Sequence, residues 1–195
     1  MEHSAVAQAS EADLVRRAVQ GESVAWEALM RRHQEPVFRF AYLILGDADE
    51  ADDIAQEAFI RAYHALQRFD TARPLRPWLL SIAANLARNR RRSLGRYLAA
   101  LNRLLQAEPS HKPNVEEKSS QRWEAQTLWQ AVQNLSDTDQ QVVYLRYFLE
   151  LSTEEVAETM KIPKGTVKSR LHRALQRLRG VIEQDFPGLL EGSDG

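Results

Sequence analysis

The sequence has no cysteine, and only 8 glycines and 7 prolines in 195 residues. Without thiols there is no disulfide, no thiolate zinc site and no cysteine nucleophile. The scarcity of glycine and proline, beside a hydrophobic fraction of 44%, argues for a folded chain over a low-complexity one. No apolar run reaches the roughly 18 residues that a membrane-spanning helix needs. The N-terminus, MEHSAVAQASEADL, carries acids where a signal peptide needs cations followed by an apolar core. Residence in the cytoplasm without membrane insertion is therefore expected. Period-2 alternation bounded by hairpin turns is also missing, which removes the sequence basis for a sheet. The five histidines are scattered and suggest no metal site. A formal net charge of -1 lacks the cation excess needed to coat nucleic acid indiscriminately.

What is present is helical period and strong charge segregation. The expected fold is all-α: two small helical bundles joined by a flexible linker, with a helix-turn-helix in the C-terminal bundle. A first helix is expected from about Glu11 to Gln20, stopped by Gly21. A longer one, Ser23 to Leu45, would bury Val24, Ala28, Leu29, His33, Val37, Phe40 and Ile44, with Pro36 kinking it. Gly46 breaks that pattern and Asp47 can cap the next helix, whose stripe is Ile54, Ala55, Ala58, Phe59, Ala62, Leu66 and Phe69. Six acids, Asp47, Asp49, Glu50, Asp52, Asp53 and Glu57, crowd its start with no base among them. The helix dipole accounts for part of that crowding. A calcium loop fails there, because Ala51, Asp52 and Ala58 stand where a ligand, a glycine and a glutamate are required.

After a loop from Asp70 to Arg76, Pro77 suits the first position of a helix with Trp78, Leu79, Ile82, Ala83 and Leu86 inward. Asn85 and Asn89, four apart, share its other side with a cluster of Arg88, Arg90, Arg91 and Arg92. Amides suit base edges and guanidinium forks suit phosphates. The pattern Leu94, Tyr97, Leu98, Leu101, Leu104, Leu105 either extends this helix or forms a separate piece. The polar stretch EPSHKPNVEEKSSQ beyond it reads as a linker.

Beyond that stretch, Leu128, Ala131, Val132 and Leu135 mark one helix, and Ser136 caps another bearing Val142, Leu145 and Leu149. Ser152 and Glu155 form a capping box, with Leu151 and Val156 at the hydrophobic-staple positions. Lys161, Ile162 and Pro163 then interrupt the chain before a second helix, which is helix-turn-helix spacing. In that helix Val167, Leu171, Ala174, Leu175 and Leu178 should face the core, with Lys168, Ser169, His172, Arg173 and Gln176 on the other side. From Lys164 to Arg179 there are six cations and no acid, an imbalance suited to DNA. The first glycine of a phosphate-binding loop is absent before Gly165, and no strand precedes it, so that alternative fails.

Three motifs in this order, EADDIAQEAFIRAY, PWLLSIAANLARNRRR and LSTEEVAETMKIPKGTVKSRLHRALQRLR, resemble the bacterial sigma factors of the extracytoplasmic-function group. The resemblance implies a region 2 at 11–95, a linker at 96–122 and a region 4 at 123–180. It implies an alternative sigma factor, not an enzyme and without a cofactor, that brings core RNA polymerase to promoters and helps open them. Asp52, Asp53, Ile54, Gln56, Glu57 and Phe59 would bind the clamp coiled coil of the largest subunit; region 4 would meet the flap of the second-largest. Asn85, Arg88, Asn89, Arg91 and Arg92 would contact the −10 element, the Asp70 to Arg76 loop capturing a flipped base. Lys168, Ser169, Arg170, His172, Arg173 and Arg177 would contact the −35 element. Leu75 and Pro77 depart from the family pattern, which commonly has Phe and a small polar residue there. An anti-sigma factor is the expected control. Two rivals compete with this reading. A stand-alone helix-turn-helix activator leaves the acidic and Asn/Arg helices unexplained, and an enzyme with such an appendage lacks a convergent catalytic set.

Overall fold

The computed structural model describes residues 9–105 and 128–185. The described residues contain no strand, and the chain divides into two compact units with its main boundary between Leu101 and Asn102.

The first unit is built on α1 (Glu11–Val19), α2 (Ser23–Leu45), α3 (Ala48–Ala65) and α4 (Leu75–Leu105). Each start and stop has a local cause. Ser10 caps α1 by accepting from the Asp13 N–H, and Asp47 caps α3 by accepting from the Glu50 N–H at 2.9 Å. Gly46 ends α2 in the left-handed region at φ 74°, where its N–H closes onto the Tyr42 carbonyl. The assigned helix α2 continues through Pro36 without a break.

The core interleaves Leu14 and Val15 with Leu29, Val37 and Phe40 of α2, Ala51 and Ala58 of α3, and Leu75, Leu79, Leu80 and Ala83 of α4. Small residues dominate the α3 stripe (Ala51, Ala55, Ala58, Ala62), which lets its backbone lie close to α2. Trp26, absent from the expected α2 face, is buried edge-on against Phe59 at 6.2 Å between ring centroids. Expected core members Val24 and Ala28 are half-buried.

Helix α4 differs from expectation in three ways. It begins at Leu75, so Pro77 is its third residue, still in the first turn where an N–H has no intrahelical partner. The loop therefore ends at Pro74, and Leu75 sits in the core at 1% exposure. Its buried stripe runs through Leu75, Leu79, Leu80, Ala83, Ala84, Leu86 and Ala87, leaving Trp78 and Ile82 half-buried at its edge, with Trp78 against Phe69 at 4.6 Å. The helix also runs on to Leu105, so the first part of the expected 96–122 linker is helical. The remainder of that segment lies outside the described residues.

The second unit comprises α5 (described over 128–133), α6 (Asp137–Val143, prolonged by a π turn Tyr144–Phe148), α7 (Thr153–Met160) and α8 (Lys164–Asp185). Ser136 caps α6 through the Asp139 N–H. The buried Gln140 amide donates to the Gln133 and Leu135 carbonyls, closing the C-terminus of α5. The capping box of α7 is formed on both sides: Ser152 N–H to Glu155 Oε2 at 2.8 Å, and Glu155 N–H to Ser152 Oγ at 3.2 Å. Leu151 and Val156, both fully buried, complete the staple. Helix α7 then ends in a Schellman turn, with the Lys161 N–H on Glu158 and the Ile162 N–H on Ala157. That turn holds Lys161 at φ 55°, where glycine is the usual occupant. This sharp stop separates α7 from α8 by three residues and sets the helix-turn-helix.

Candidate nucleic-acid and partner interfaces

The acids at the start of α3 are divided among three tasks. Asp47 is spent on the cap. Glu50 meets Arg90 of α4 in a two-pronged ion pair, with the Arg90 Nη2 to Glu50 Oε1 contact at 2.9 Å. That bond raises the Arg90 pKa above its ordinary value, with a smaller contribution from the charge of Asp53. Asp52, Asp53 and Gln56 remain exposed, and Glu57 is half-buried. The Gln56 amide donates to Asp52 Oδ2 at 2.7 Å, and Glu57 accepts from Arg61 at 2.7 Å, so both acids are already ordered along the helix.

Ile54 and Phe59, polymerase contacts by the resemblance, lie in the buried stripe that the helical period predicts. At 8% and 6% exposure they are largely buried, Ile54 beneath the acidic face and Phe59 in the wall of the groove beside it. The exposed apolar side chains near the acids are Ile60 and Tyr63, at 53% and 47%. They line a groove of about 550 Å³ with Trp26, Met30, Gln56 and Phe59. A second hollow of about 330 Å³, along Met30, Phe38, Asp52 and Gln56, adjoins it. Both lie between α2 and α3, so this surface is an apolar trough edged by Asp52 and Gln56. The signal for Ile60 was present in the sequence: it falls off the buried stripe and three positions after Glu57.

On α4, Asn85, Asn89 and Arg92 are exposed, and Arg88 and Arg91 half-buried. Arg88 donates from Nη2 to the Asn85 side-chain oxygen and from Nε to the Ala84 carbonyl at 3.2 Å. With its oxygen engaged, the Asn85 amide presents its N–H donors outward, a match for acceptors on a base edge. The preceding loop is ordered by Asp70, whose side chain accepts from the Ala72 N–H at 3.0 Å, and positions 70–74 are all exposed.

On α8, Lys168, Ser169, His172 and Arg173 are exposed on one side. The Ser169 hydroxyl donates to the Thr166 carbonyl at 3.0 Å and keeps its lone pairs for an incoming donor. Arg170 and Arg177 do not join that row. Both guanidiniums contact Asp139 of α6, each 3.3 Å from one carboxylate oxygen, with the Arg170 side chain 29% and the Arg177 side chain 60% exposed. Leu175, expected in the core, is 42% exposed. It belongs to an apolar groove of about 480 Å³ whose other walls include Leu128, Trp129, Tyr147 and Phe148.

Comparison with known proteins finds matches in both halves of the chain. Residues 29–97 match the sigma-70 region 2 family and residues 125–178 the sigma-70 region 4 family. SigW of Bacillus subtilis, an ECF RNA polymerase sigma factor, is 33% identical over 173 residues, covering 85% of this chain and 92% of SigW. SigL of Mycobacterium tuberculosis, another, is 33% identical over 171 residues, covering 85% of this chain and 96% of SigL. Among solved structures, CnrH in complex with the cytosolic domain of CnrY shares the fold at a TM-score of 0.67 and 23% identity, over 90% of this chain and 98% of CnrH. Identity at this level, sustained across both regions and nearly the full length of SigW and SigL, places the chain in the family of extracytoplasmic-function RNA polymerase sigma factors.

Proposed function

We propose that this sigma factor divides promoter recognition between its two units: α3 grips core polymerase, α4 handles the −10 element, and α8 reads the −35 element. The chain is an alternative sigma factor that directs RNA polymerase to promoters. Its residues do no bond chemistry; the polymerase they position does it, in the cytoplasm. Among the described residues no helix is long and apolar enough to cross a membrane.

The observation that carries the division of labour is that the fold leaves each proposed contact set at the surface. Asp52, Asp53 and Gln56, then Asn85, Asn89 and Arg92, then Lys168, Ser169, His172 and Arg173 are all exposed, while their neighbours are consumed by caps and cross-links. The acid-edged trough of α2 and α3 suits the clamp coiled coil: charge steers the encounter and apolar burial against Ile60 and Tyr63 supplies affinity. The apolar groove bearing Leu175 and Phe148 suits the flap of the second-largest subunit. A single protein that covered these exposed surfaces would silence the factor. An anti-sigma factor is thus the expected regulator, as RpoE of Bartonella quintana is bound by NepR.

Run-off transcription by core polymerase on a genomic promoter library tests the reading. Addition of the chain should create new start sites, each preceded by a shared pair of upstream elements. A chain that neither co-elutes with core nor changes the start sites would leave only the DNA-binding activator.

A further inference from the structure

We propose that Asp139 is a positioning residue for the upstream DNA reader, holding Arg170 and Arg177 away from DNA and fixing the roll of α8. The inference rests on reading α8 as the −35 helix and assigns the work of keeping it in register to a residue on another helix. Asp139 is 5% exposed and is anchored by its own backbone, whose N–H donates to the Ser136 cap. A carboxylate so buried requires cationic partners, because an unpaired charge there is strongly unfavourable. The two partners are seven residues apart on α8, two full turns and about 10 Å along its axis. Each takes a different oxygen, at 3.3 Å. The buried stripe of Val167, Ala174 and Leu178 seats α8, and two ion pairs separated along the axis add a restraint on its roll and register.

The consequence for DNA is a matter of face. Lys168, Ser169, His172 and Arg173 fall on the outward arc of α8, while Arg170 and Arg177 flank the buried stripe of Val167, Ala174 and Leu178. Arg170 is only 29% exposed in its side chain, and its Nε is buried with no hydrogen-bond partner among the described residues. Each guanidinium spends an Nη1 donor on Asp139; Arg170 could reach a phosphate only by leaving it, whereas the Arg177 side chain stays 60% exposed, so its reach toward DNA is what the experiment measures. The cation run that makes the sequence look uniformly DNA-facing is therefore split: the outward row binds, and the pair held by Asp139 fixes the helix.

The test uses holoenzyme reconstituted from core polymerase and the full chain, with a promoter duplex selected by wild type and the same duplex with its upstream element scrambled. Dissociation constants are measured over a series of salt concentrations. Arg173→Gln should make the slope of log affinity against log salt shallower by about 0.9, one phosphate contact, while Arg177→Gln leaves it at the wild-type value. Asp139→Asn should release both cations, steepening the slope on the scrambled duplex by about 1–2. It should also reduce the preference for the intact upstream element by about fivefold or more, the worth of one base contact. Simple loss of folding would weaken binding without steepening the slope, so the sign separates the two. If Arg177→Gln flattens the slope as Arg173→Gln does, or if Asp139→Asn keeps the wild-type slope and preference, the proposal is overturned. Should Asp139→Asn not fold, the exposed Arg177 variant decides alone. Wild-type holoenzyme that ignores scrambling of the upstream element would refute the −35 reading itself, a result obtained before any variant is made.

Discussion

Replacing Glu11 by Gln isolates one carboxylate that ties three helices of the first unit together. Glu11 opens α1, its Oε2 accepts from the buried His33 Nε2 of α2 at 3.0 Å, and it also accepts from the Leu75 N–H that begins α4. Because a carboxylate can only accept, the His33 Nε2 is the donor in this bond. The His33 hydrogen bond, aided by the charges of His33 and Arg32, holds the Glu11 carboxyl below its ordinary 4.5, against the opposing effect of burial. Glutamine keeps the shape but offers one acceptor and turns an N–H₂ toward a remaining donor. A hydrogen bond to a charged group contributes about 1.5–3 kcal/mol. The Glu11 side chain is still 35% exposed, so solvent screening selects the lower end, about 1.5 kcal/mol. For a unit of this size that lowers Tm by about 6–12 °C. Urea titration followed through the amide resonances of the first unit measures the loss at about pH 7. The pH dependence supplies the sharper check. A carboxyl depressed in the folded state contributes fully above its unfolded value of 4.5 and loses that contribution as pH falls through the lower folded value. Wild type and Glu11→Gln should therefore differ at neutral pH, and the difference should shrink as pH falls below 4.5 and through the lower folded value. A difference that stays constant across that range would refute the charge-based account.

Other substitutions separate surface contacts from their supports. Asp52→Arg should weaken co-elution with core polymerase at least tenfold while shifting stability by no more than about 0.5 kcal/mol, since Asp52 is exposed. Ile54→Ala should do the reverse, costing about 2–4 kcal/mol of stability from its buried site, with core affinity of the folded fraction unchanged. Asn85→Ala should reduce permanganate reactivity in the −10 region while leaving closed-complex formation near wild type. Equal loss of both would place Asn85 in duplex binding instead of strand opening.

How much of this was legible in the sequence depends on the range of the interaction. The α7 capping box and staple lie within six consecutive residues, Leu151 to Val156, and the sequence pattern specified them fully. The Gly46 stop and the Asp47 cap were equally local. The all-α class followed from periodicity alone. Helix phase was less legible, because a stripe read from one helix does not say which neighbour covers its edges. Trp26 was missed and Leu175 was misplaced for that reason: the burial of each depends on a facing helix.

The candidate sites show the same limit in the form that matters for function. Asp52 and Asp53 are adjacent in sequence, yet one edges the trough of α2 and α3 and the other adds its charge to Arg90 on α4. Ile54 and Phe59 stand among the acids in the chain and in the buried stripe of the fold. Arg170 and Arg177 look equivalent to Arg173 until Asp139, some thirty residues away, is brought against them by the α6 cap. In each case a charge cluster in sequence is a mixture of contacts and fastenings, sorted by partners that only tertiary packing supplies. A basic or acidic run thus predicts that a surface exists. Which of its members are available to polymerase or DNA is set by the buried counter-charges, and those are the residues whose removal should change specificity before it changes affinity.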